Sequence, residues 1–84
     1  MSNYNWDFKL KTKLGREVLV DSKAKYGYWE RLDGSEGGGL WFETATEPAF
    51  ENRLELVDYD GYMELPKDIE PALQEAGFLI QGGP

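Results

Sequence analysis

The sequence contains no cysteine and no histidine. Without cysteine, the chain can form neither a disulfide framework nor a thiolate zinc site, and this composition suits a reducing cytoplasm. Without histidine, it has no histidine-based catalytic triad and no imidazole metal ligand. Long apolar runs are also missing, and the first residues show no signal-peptide core. We therefore expect a soluble, cytoplasmic protein that does not associate with membranes.

Motifs for catalysis or cofactor binding are also lacking. The run Gly37-Gly38-Gly39 is not followed by the Gly-Lys-Ser/Thr of a phosphate-binding loop. The stretch from Asp58 to Gly61 faintly resembles a calcium loop, but Lys67 occupies the twelfth position, where a bidentate glutamate is needed. We expect no catalytic residue, no metal site and no cofactor, and hence a protein that is not an enzyme.

Acidic residues are unevenly distributed along the chain. Residues 1–31 contain seven Lys/Arg and four Asp/Glu, a balance of +3, whereas residues 32–84 contain two Lys/Arg and twelve Asp/Glu, a balance of −10. Together these give the formal net charge of −7. Such asymmetry indicates a charged partner, although a negative surface also keeps a protein soluble.

The first part of the chain alternates between apolar and polar residues, which is typical of a half-buried strand. Tyr4, Trp6 and Phe8 share one face, and we expect them in the core. A three-residue loop over 14–16 predicts a hairpin with strand 17–21. Its register places Leu10 opposite Val20, Lys9 opposite Asp21, Thr12 opposite Val18 and Lys13 opposite Glu17.

Three further predictions complete the fold. Strands over 25–32 and 40–46 are joined by a glycine-rich tip, DGSEGGG. Strands over 53–59 and 62–65 flank the turn Asp60-Gly61, which pairs Tyr59 with Tyr62 and Leu56 with Leu65. Helical spacing predicts a helix from about Asp68 to Gly77, with Phe78 folding back onto its end and a short strand following. The expected class is α+β: one domain, 1–84, with an antiparallel, strongly bent sheet of five or six strands, one C-terminal helix, and a frayed tail over 81–84.

Charge and aromatic content together predict the binding residues. Alternate residues on one face of a strand are about 6.8 Å apart, close to twice the roughly 3.4 Å rise per nucleotide of a DNA strand. Carboxylates on adjacent strands therefore form an array that meets Lys and Arg in a nucleic-acid groove. The predicted acidic face comprises Glu43, Glu47, Glu51, Glu55, Asp58, Asp60, Glu64, Asp68 and Glu70. The predicted aromatic contacts are Tyr28, Trp29, Trp41, Tyr59 and Tyr62.

The whole chain resembles small phage-encoded anti-defence proteins, including anti-CRISPR inhibitors, in size, acidity, lack of cysteine and expected architecture. The stretch LELVDYDGYMELPKDIEPALQEAGF is also similar to small phage proteins of unknown function. The resemblance implies a non-enzymatic inhibitor that acts as a DNA mimic in the cytoplasm of a bacterial host. It would bind a basic nucleic-acid-binding protein, such as a CRISPR effector subunit, and block DNA binding.

Two alternatives remain open. The first is a small phage structural or assembly protein with an aromatic oligomer interface. The second is a carbohydrate-binding module that uses Tyr28, Trp29 and Trp41. The expected partner is a protein and not nucleic acid itself, and the expected state is a monomer or a weak homodimer.

Overall fold

The computed structural model describes residues 3–60 and 64–80. Its strands are β1 (Phe8–Lys11), β2 (Glu17–Asp21), β3 (Tyr26–Glu30), β4 (Glu36–Thr44), β5 (Leu54–Tyr59) and β6 (Leu79–Ile80); helix α1 covers Ile69–Glu75, and a 3-10 turn covers Pro48–Phe50. The strands form one sheet in the order β1-β2-β3-β4-β5-β6. This confirms the α+β class with one C-terminal helix.

The prediction of a purely antiparallel sheet is wrong because β6 runs parallel to β5, with Glu55 opposite Leu79 and Leu56 opposite Ile80. The chain leaves β5, passes through α1 and re-enters the sheet beside β5. A helical crossover of this kind is what a parallel strand pair requires. The other four strand pairs are antiparallel.

The register of the first hairpin differs from the prediction by two residues. Leu10 lies opposite Val18, Lys9 opposite Leu19, and Lys11 opposite Glu17. The three-residue loop covers 13–15, because the last position of such a loop needs a left-handed residue and Gly15 has φ +84°. A shift of two leaves every side chain of β1 and β2 on its predicted face, but it removes the predicted Lys9–Asp21 and Lys13–Glu17 pairs.

The second hairpin uses the same loop length. Arg31 N–H donates to the Ser35 carbonyl at 2.9 Å, and Gly34 takes φ +86° at the end of loop 32–34. The three glycines 37–39 are therefore not at the tip, as predicted, but inside β4. A Cβ on Gly37 would lie 2.4 Å from the Trp29 carbonyl oxygen and 2.4 Å from its ring, so the close approach of Trp29 requires glycine there.

The predicted hairpin around Asp60-Gly61 is not formed by the described residues. Leu56 pairs with Phe42 on one side and with Ile80 on the other, so neither edge of β5 is free for Leu65. Residues 64–66 belong to no strand. The predicted pairing of Tyr59 with Tyr62 lies outside the described residues.

The helix prediction is confirmed. α1 begins at Ile69, directly after Asp68, and the left-handed residue Gly77 (φ +101°) follows its end. Phe78 N–H donates to the Leu73 carbonyl at 3.0 Å, and Gly77 N–H donates to the Gln74 carbonyl at 3.0 Å. These two bonds form a Schellman motif, which turns Phe78 back onto the helix.

The core lies between α1 and the concave face of the sheet. Its buried members are Val18, Val20, Trp29, Leu40, Phe42, Leu56, Ile69, Leu73 and Phe78. Phe78 contacts Phe8 of β1 and Phe42 of β4, with ring centroids 4.9 and 5.2 Å apart, so the sheet curls around the helix. Tyr4 and Trp6, predicted to be core residues, are not part of this cluster. Over residues 3–60 and 64–80, no helix is long and apolar enough to cross a membrane.

Candidate functional site: the outer face of the sheet

The face of the sheet that points away from α1, called the outer face below, carries an unusual combination of aromatic and acidic side chains. In β3, Gly27 and Trp29 are buried, whereas Tyr26 and Tyr28 alternate with them and point outward. In β4, Leu40 and Phe42 are buried, whereas Trp41 is 42% exposed. The alternation of strand side chains thus places large aromatic residues on both sides of the sheet.

Four aromatic rings form a continuous ribbon across this face, defined here as the aromatic ribbon: Tyr4, Trp6, Tyr26 and Trp41. Tyr4 stacks on Tyr26 at 4.8 Å and on Trp6 at 5.2 Å. Trp41 and Tyr26 form an edge-to-face pair, with ring centroids 5.6 Å apart and the ring planes at 67°. Both distances and angles are typical of favourable aromatic pairs, so each ring helps to orient the next.

The segment before β1 is held on the sheet by two aspartates. The Asp21 carboxylate accepts hydrogen bonds from Ala24, Lys23 and Asn5 backbone N–H groups, and these bonds lower the pKa of Asp21. Asp7 accepts hydrogen bonds from both the backbone N–H and the hydroxyl of Ser22, and its pKa is lowered in the same way. This anchoring brings Tyr4 and Trp6 to Tyr26, although neither lies in a strand.

Gly39 lies directly beneath the rings of Trp41 and Tyr26. A Cβ at this position would lie 2.9 Å from Cη2 of Trp41 and 3.2 Å from the Tyr26 ring. The two rings therefore lie directly over the β4 backbone, which they could not do if residue 39 carried a side chain.

Five carboxylates on β3, β4 and β5 share the outer face with the ribbon, and two pairs of them are directly opposite each other. Glu30 is the cross-strand partner of Glu36, and Glu43 is the cross-strand partner of Glu55. The group defined here as the acidic rim also contains the partner of Trp41 and comprises Glu30, Glu36, Glu43, Glu55 and Asp58. In the part of the chain that the structure describes, none of these carboxylates forms a salt bridge.

The pKa values of two tyrosines on the outer face, Tyr26 and Tyr28, are raised. Burial raises the pKa of Tyr26, and the neighbouring tyrosines together with Glu36 and Asp60 raise it further. Burial also raises the pKa of Tyr28, as do the carboxylates of Glu30 and Glu36. Burial is the largest cause of both shifts, and the carboxylates add to it because negative charge nearby disfavours a phenolate.

The nine acids of the predicted binding face do not form one surface. Glu43, Glu55 and Asp58 lie on the outer face, and Asp60 adjoins it through its N–H bond to the Gly39 carbonyl. The remaining five lie elsewhere: Glu47 and Glu51 flank the 3-10 turn, Glu64 and Glu70 line a groove beside the start of α1, and Asp68 is buried.

Asp68 is a structural residue and not a surface acid. Its carboxylate accepts hydrogen bonds from Arg16 Nε at 3.0 Å and from Thr12 Oγ1 at 2.5 Å, and the side chains of Arg16 and Asp68 are 9% and 8% exposed. Burial raises the pKa of Asp68, but the bonds from Arg16 and Thr12 outweigh it, so the net pKa is lowered. The ion pair ties the start of α1 to the first hairpin, which leaves no carboxylate for a partner.

The predicted aromatic contacts also divide. Trp41 and Tyr28 lie on the outer face, whereas Tyr59, 40% exposed, lines the groove beside α1. Trp29 is only 3% exposed because it packs against the glycines of β4, so its prediction as a partner contact is not supported. Tyr62 lies outside the described residues.

Sequence reasoning missed several outer-face residues: Tyr4, Trp6, Tyr26, Glu30 and Glu36. A signal for two of them was present, because strict alternation along YGYWE places Tyr26 and Glu30 on the same face as Tyr28, which was predicted. No local signal existed for Tyr4 and Trp6, whose position depends on Asp21 and Ser22.

No family model, curated protein or solved structure matches this chain.

Proposed function

We propose that this protein is a non-enzymatic inhibitor that binds a basic nucleic-acid-binding surface of another protein through its outer face. The observation that carries the proposal is that two pairs of carboxylates lie directly opposite each other, Glu30 with Glu36 and Glu43 with Glu55. Like charges directly opposite each other destabilise a sheet. Residues that cost stability without a structural benefit are typical of functional surfaces.

Solubility alone does not account for this arrangement. A soluble surface needs net charge, but charges of both signs interspersed along the strands serve that purpose without opposing like charges. The β1–β2 pair illustrates this, because Lys11 lies opposite Glu17. The β3–β4 pair departs from that pattern where Glu30 lies opposite Glu36, and the β4–β5 pair departs from it where Glu43 lies opposite Glu55.

The spacing of the rim suits a surface that normally binds nucleic acid. Neighbouring strands are about 4.8 Å apart and alternate residues along a strand about 6.8 Å apart. Carboxylates on β3, β4 and β5 therefore offer charges at intervals that correspond to about one to two nucleotide rises of roughly 3.4 Å along a DNA strand. The most concrete form of the proposal is a phage anti-CRISPR protein that occupies the nucleic-acid groove of an effector subunit, as the resemblance in size and charge implies.

The aromatic ribbon supplies the apolar part of such an interface. Tyr and Trp are enriched at interface centres because they bury a large area at little cost in conformational entropy. Trp41 and Tyr4 are 42% and 44% exposed, and the rim residues Asp58 and Glu43 lie beside Trp41. An aromatic anchor next to a group of charges combines affinity with rapid association.

A competition assay tests the proposal. Purified CRISPR effector complexes and other basic nucleic-acid-binding proteins are mixed with labelled DNA or RNA, and the chain is titrated into each mixture. We expect displacement of the nucleic acid from at least one target at low salt, weakening as salt rises. If the chain forms a complex with a target without affecting its nucleic-acid binding, the mimicry is wrong. If it binds none of these proteins, the inhibitor proposal fails.

A second candidate function, a phage assembly protein, is favoured by one observation. Lys9 and Lys11 project from β1, at one side of the same sheet whose β4 and β5 carry Glu43, Glu55 and Asp58. In a face-to-face dimer with its two-fold axis along the strands, lysines of each copy would meet acids of the other. Sedimentation velocity distinguishes this candidate, because it predicts a dimer without any partner.

A further inference from the structure

The register of β4 and β5 places an exposed indole ring directly beside a carboxylate. Trp41 and Asp58 are cross-strand partners, and both side chains are exposed. Asp58 Oδ1 accepts the N–H of Tyr59 at 2.9 Å, which helps to hold the carboxylate in place. The Trp41 ring is held by its edge-to-face contact with Tyr26 and by packing over the backbone at Gly39. The two groups thus form a small, ordered recognition element at one end of the aromatic ribbon.

We propose that Trp41 and Asp58 form an arginine-binding site, in which the guanidinium of a partner stacks on the indole and donates hydrogen bonds to the carboxylate. The inference rests on the proposed function and names the side chain that the outer face selects. A guanidinium is planar, weakly hydrated and able to bind a carboxylate with two parallel N–H groups. A lysine ammonium is compact and strongly hydrated, so it gains less from a flat ring.

The protein contains the same combination of groups in its interior. The Arg16 guanidinium lies 5.5 Å from the centre of the Trp29 ring and donates to the Asp68 carboxylate at 3.0 Å. Indole, guanidinium and carboxylate are therefore mutually compatible in this fold. On the outer face the chain supplies the indole and the carboxylate, and charge complementarity assigns the guanidinium to the partner.

The neighbouring carboxylates of the acidic rim offer a position for a second cationic residue of the partner. Glu43 follows Trp41 by two residues on the same face of β4, a separation of about 6.8 Å. Glu55 lies opposite Glu43 and adds a second carboxylate at that point. A basic segment that places one arginine on Trp41 can therefore place its next cationic residue between Glu43 and Glu55.

Oligo-arginine and oligo-lysine peptides of equal length test the inference, with affinities measured by calorimetry at low and physiological salt. For the unmodified chain we expect oligo-arginine to bind about threefold or more tightly than oligo-lysine. Trp41→Leu and Asp58→Asn should each remove this preference while salt-dependent binding of both peptides persists through the rest of the rim. Tyr59→Leu is the matched control, because Tyr59 is as exposed as Trp41 but lines the groove beside α1, and it should keep the preference.

The outcomes separate the two proposals. Equal affinity for the two peptides, or a preference for arginine that survives Trp41→Leu, overturns the arginine site and leaves the binding of a basic surface intact. If neither peptide binds even at low salt, the proposed function fails together with the inference. Circular dichroism of each variant establishes that the comparison is made between folded proteins.

Discussion

Replacing Glu43 by lysine should stabilise the fold, because Glu43 directly opposes Glu55 on the exposed side of the β4–β5 pair. Two carboxylates about 6 Å apart in water repel each other by about 0.7 kcal/mol, and physiological salt reduces this by about half. Glu43→Lys turns the repulsion into an attraction of similar size. The expected gain in the free energy of unfolding is therefore about 0.5–1 kcal/mol, within the range measured for cross-strand pairs.

Thermal unfolding followed by circular dichroism measures this gain. For a domain of this size, 1 kcal/mol corresponds to about 4–8 °C in Tm, so Glu43→Lys should raise Tm by a few degrees at low salt and by less at high salt. Glu43→Gln should give about half the gain because it removes the repulsion without adding an attraction. Glu43→Lys should also bind a basic partner less well, since it reverses a charge of the acidic rim.

Glu47→Lys provides the control, because it changes the net charge equally but lies beside the 3-10 turn, outside any cross-strand pair. A gain in Tm as large as that of Glu43→Lys would show that general charge relief, and not the opposed pair, limits stability. A loss of stability in Glu43→Lys at low salt would refute the reasoning outright.

Three other perturbations follow from the structure. Asp68→Asn should lower the free energy of unfolding in urea by about 3 kcal/mol, because it leaves the buried guanidinium of Arg16 without its counterion. The pKa of Asp68 is lowered in the folded state, so its carboxylate stabilises the fold at pH values above the unfolded-state pKa of about 3.9. This stabilisation is lost as the pH falls through the folded-state pKa. The free energy of unfolding of Asp68→Asn should therefore depend less steeply on pH below about pH 4 than that of the unmodified chain. Gly37→Ala should destabilise the fold strongly, because its Cβ would clash with the Trp29 ring and carbonyl oxygen. Gly39→Ala should keep the fold, but it should displace the rings of Trp41 and Tyr26 and weaken binding by the outer face. Urea unfolding measures the first effect, and peptide affinity measures the second.

Features that depend on neighbouring residues in the sequence were predictable. The helix was predicted because its apolar spacing, Pro71 in the first turn and Gly77 at its end are local signals. The faces of the first hairpin were also correct, since the alternation of strand side chains survives a register shift of two. The register itself was wrong because it depends on which loop position Gly15 occupies.

Features set by distant contacts were not predictable. Whether β6 joins the sheet parallel to β5 depends on the crossover through α1, which no local pattern reports. The burial of Asp68 depends on Arg16, 52 residues away in the chain. The aromatic ribbon needs Asn5 to reach Asp21, a contact that alternation alone does not predict. Trp29 and Trp41 look equivalent in the sequence. Trp29 is buried because its position in β3 points toward α1 and the β4 glycines leave room for its ring, whereas Trp41 points to the outer face.

The most direct measurement compares two triple variants of equal net charge in their affinity for a basic nucleic-acid-binding target identified by competition. One removes rim charges (Glu43→Gln, Glu55→Gln, Asp58→Asn), and the other removes exposed acids away from the outer face (Glu51→Gln, Glu70→Gln, Glu75→Gln). At low salt, the rim variant should bind about tenfold more weakly, with a shallower dependence of Kd on salt, and the control variant should bind almost like the unmodified chain. Equal affinities of the two variants, or a Kd indifferent to salt, would contradict the assignment of function to the outer face.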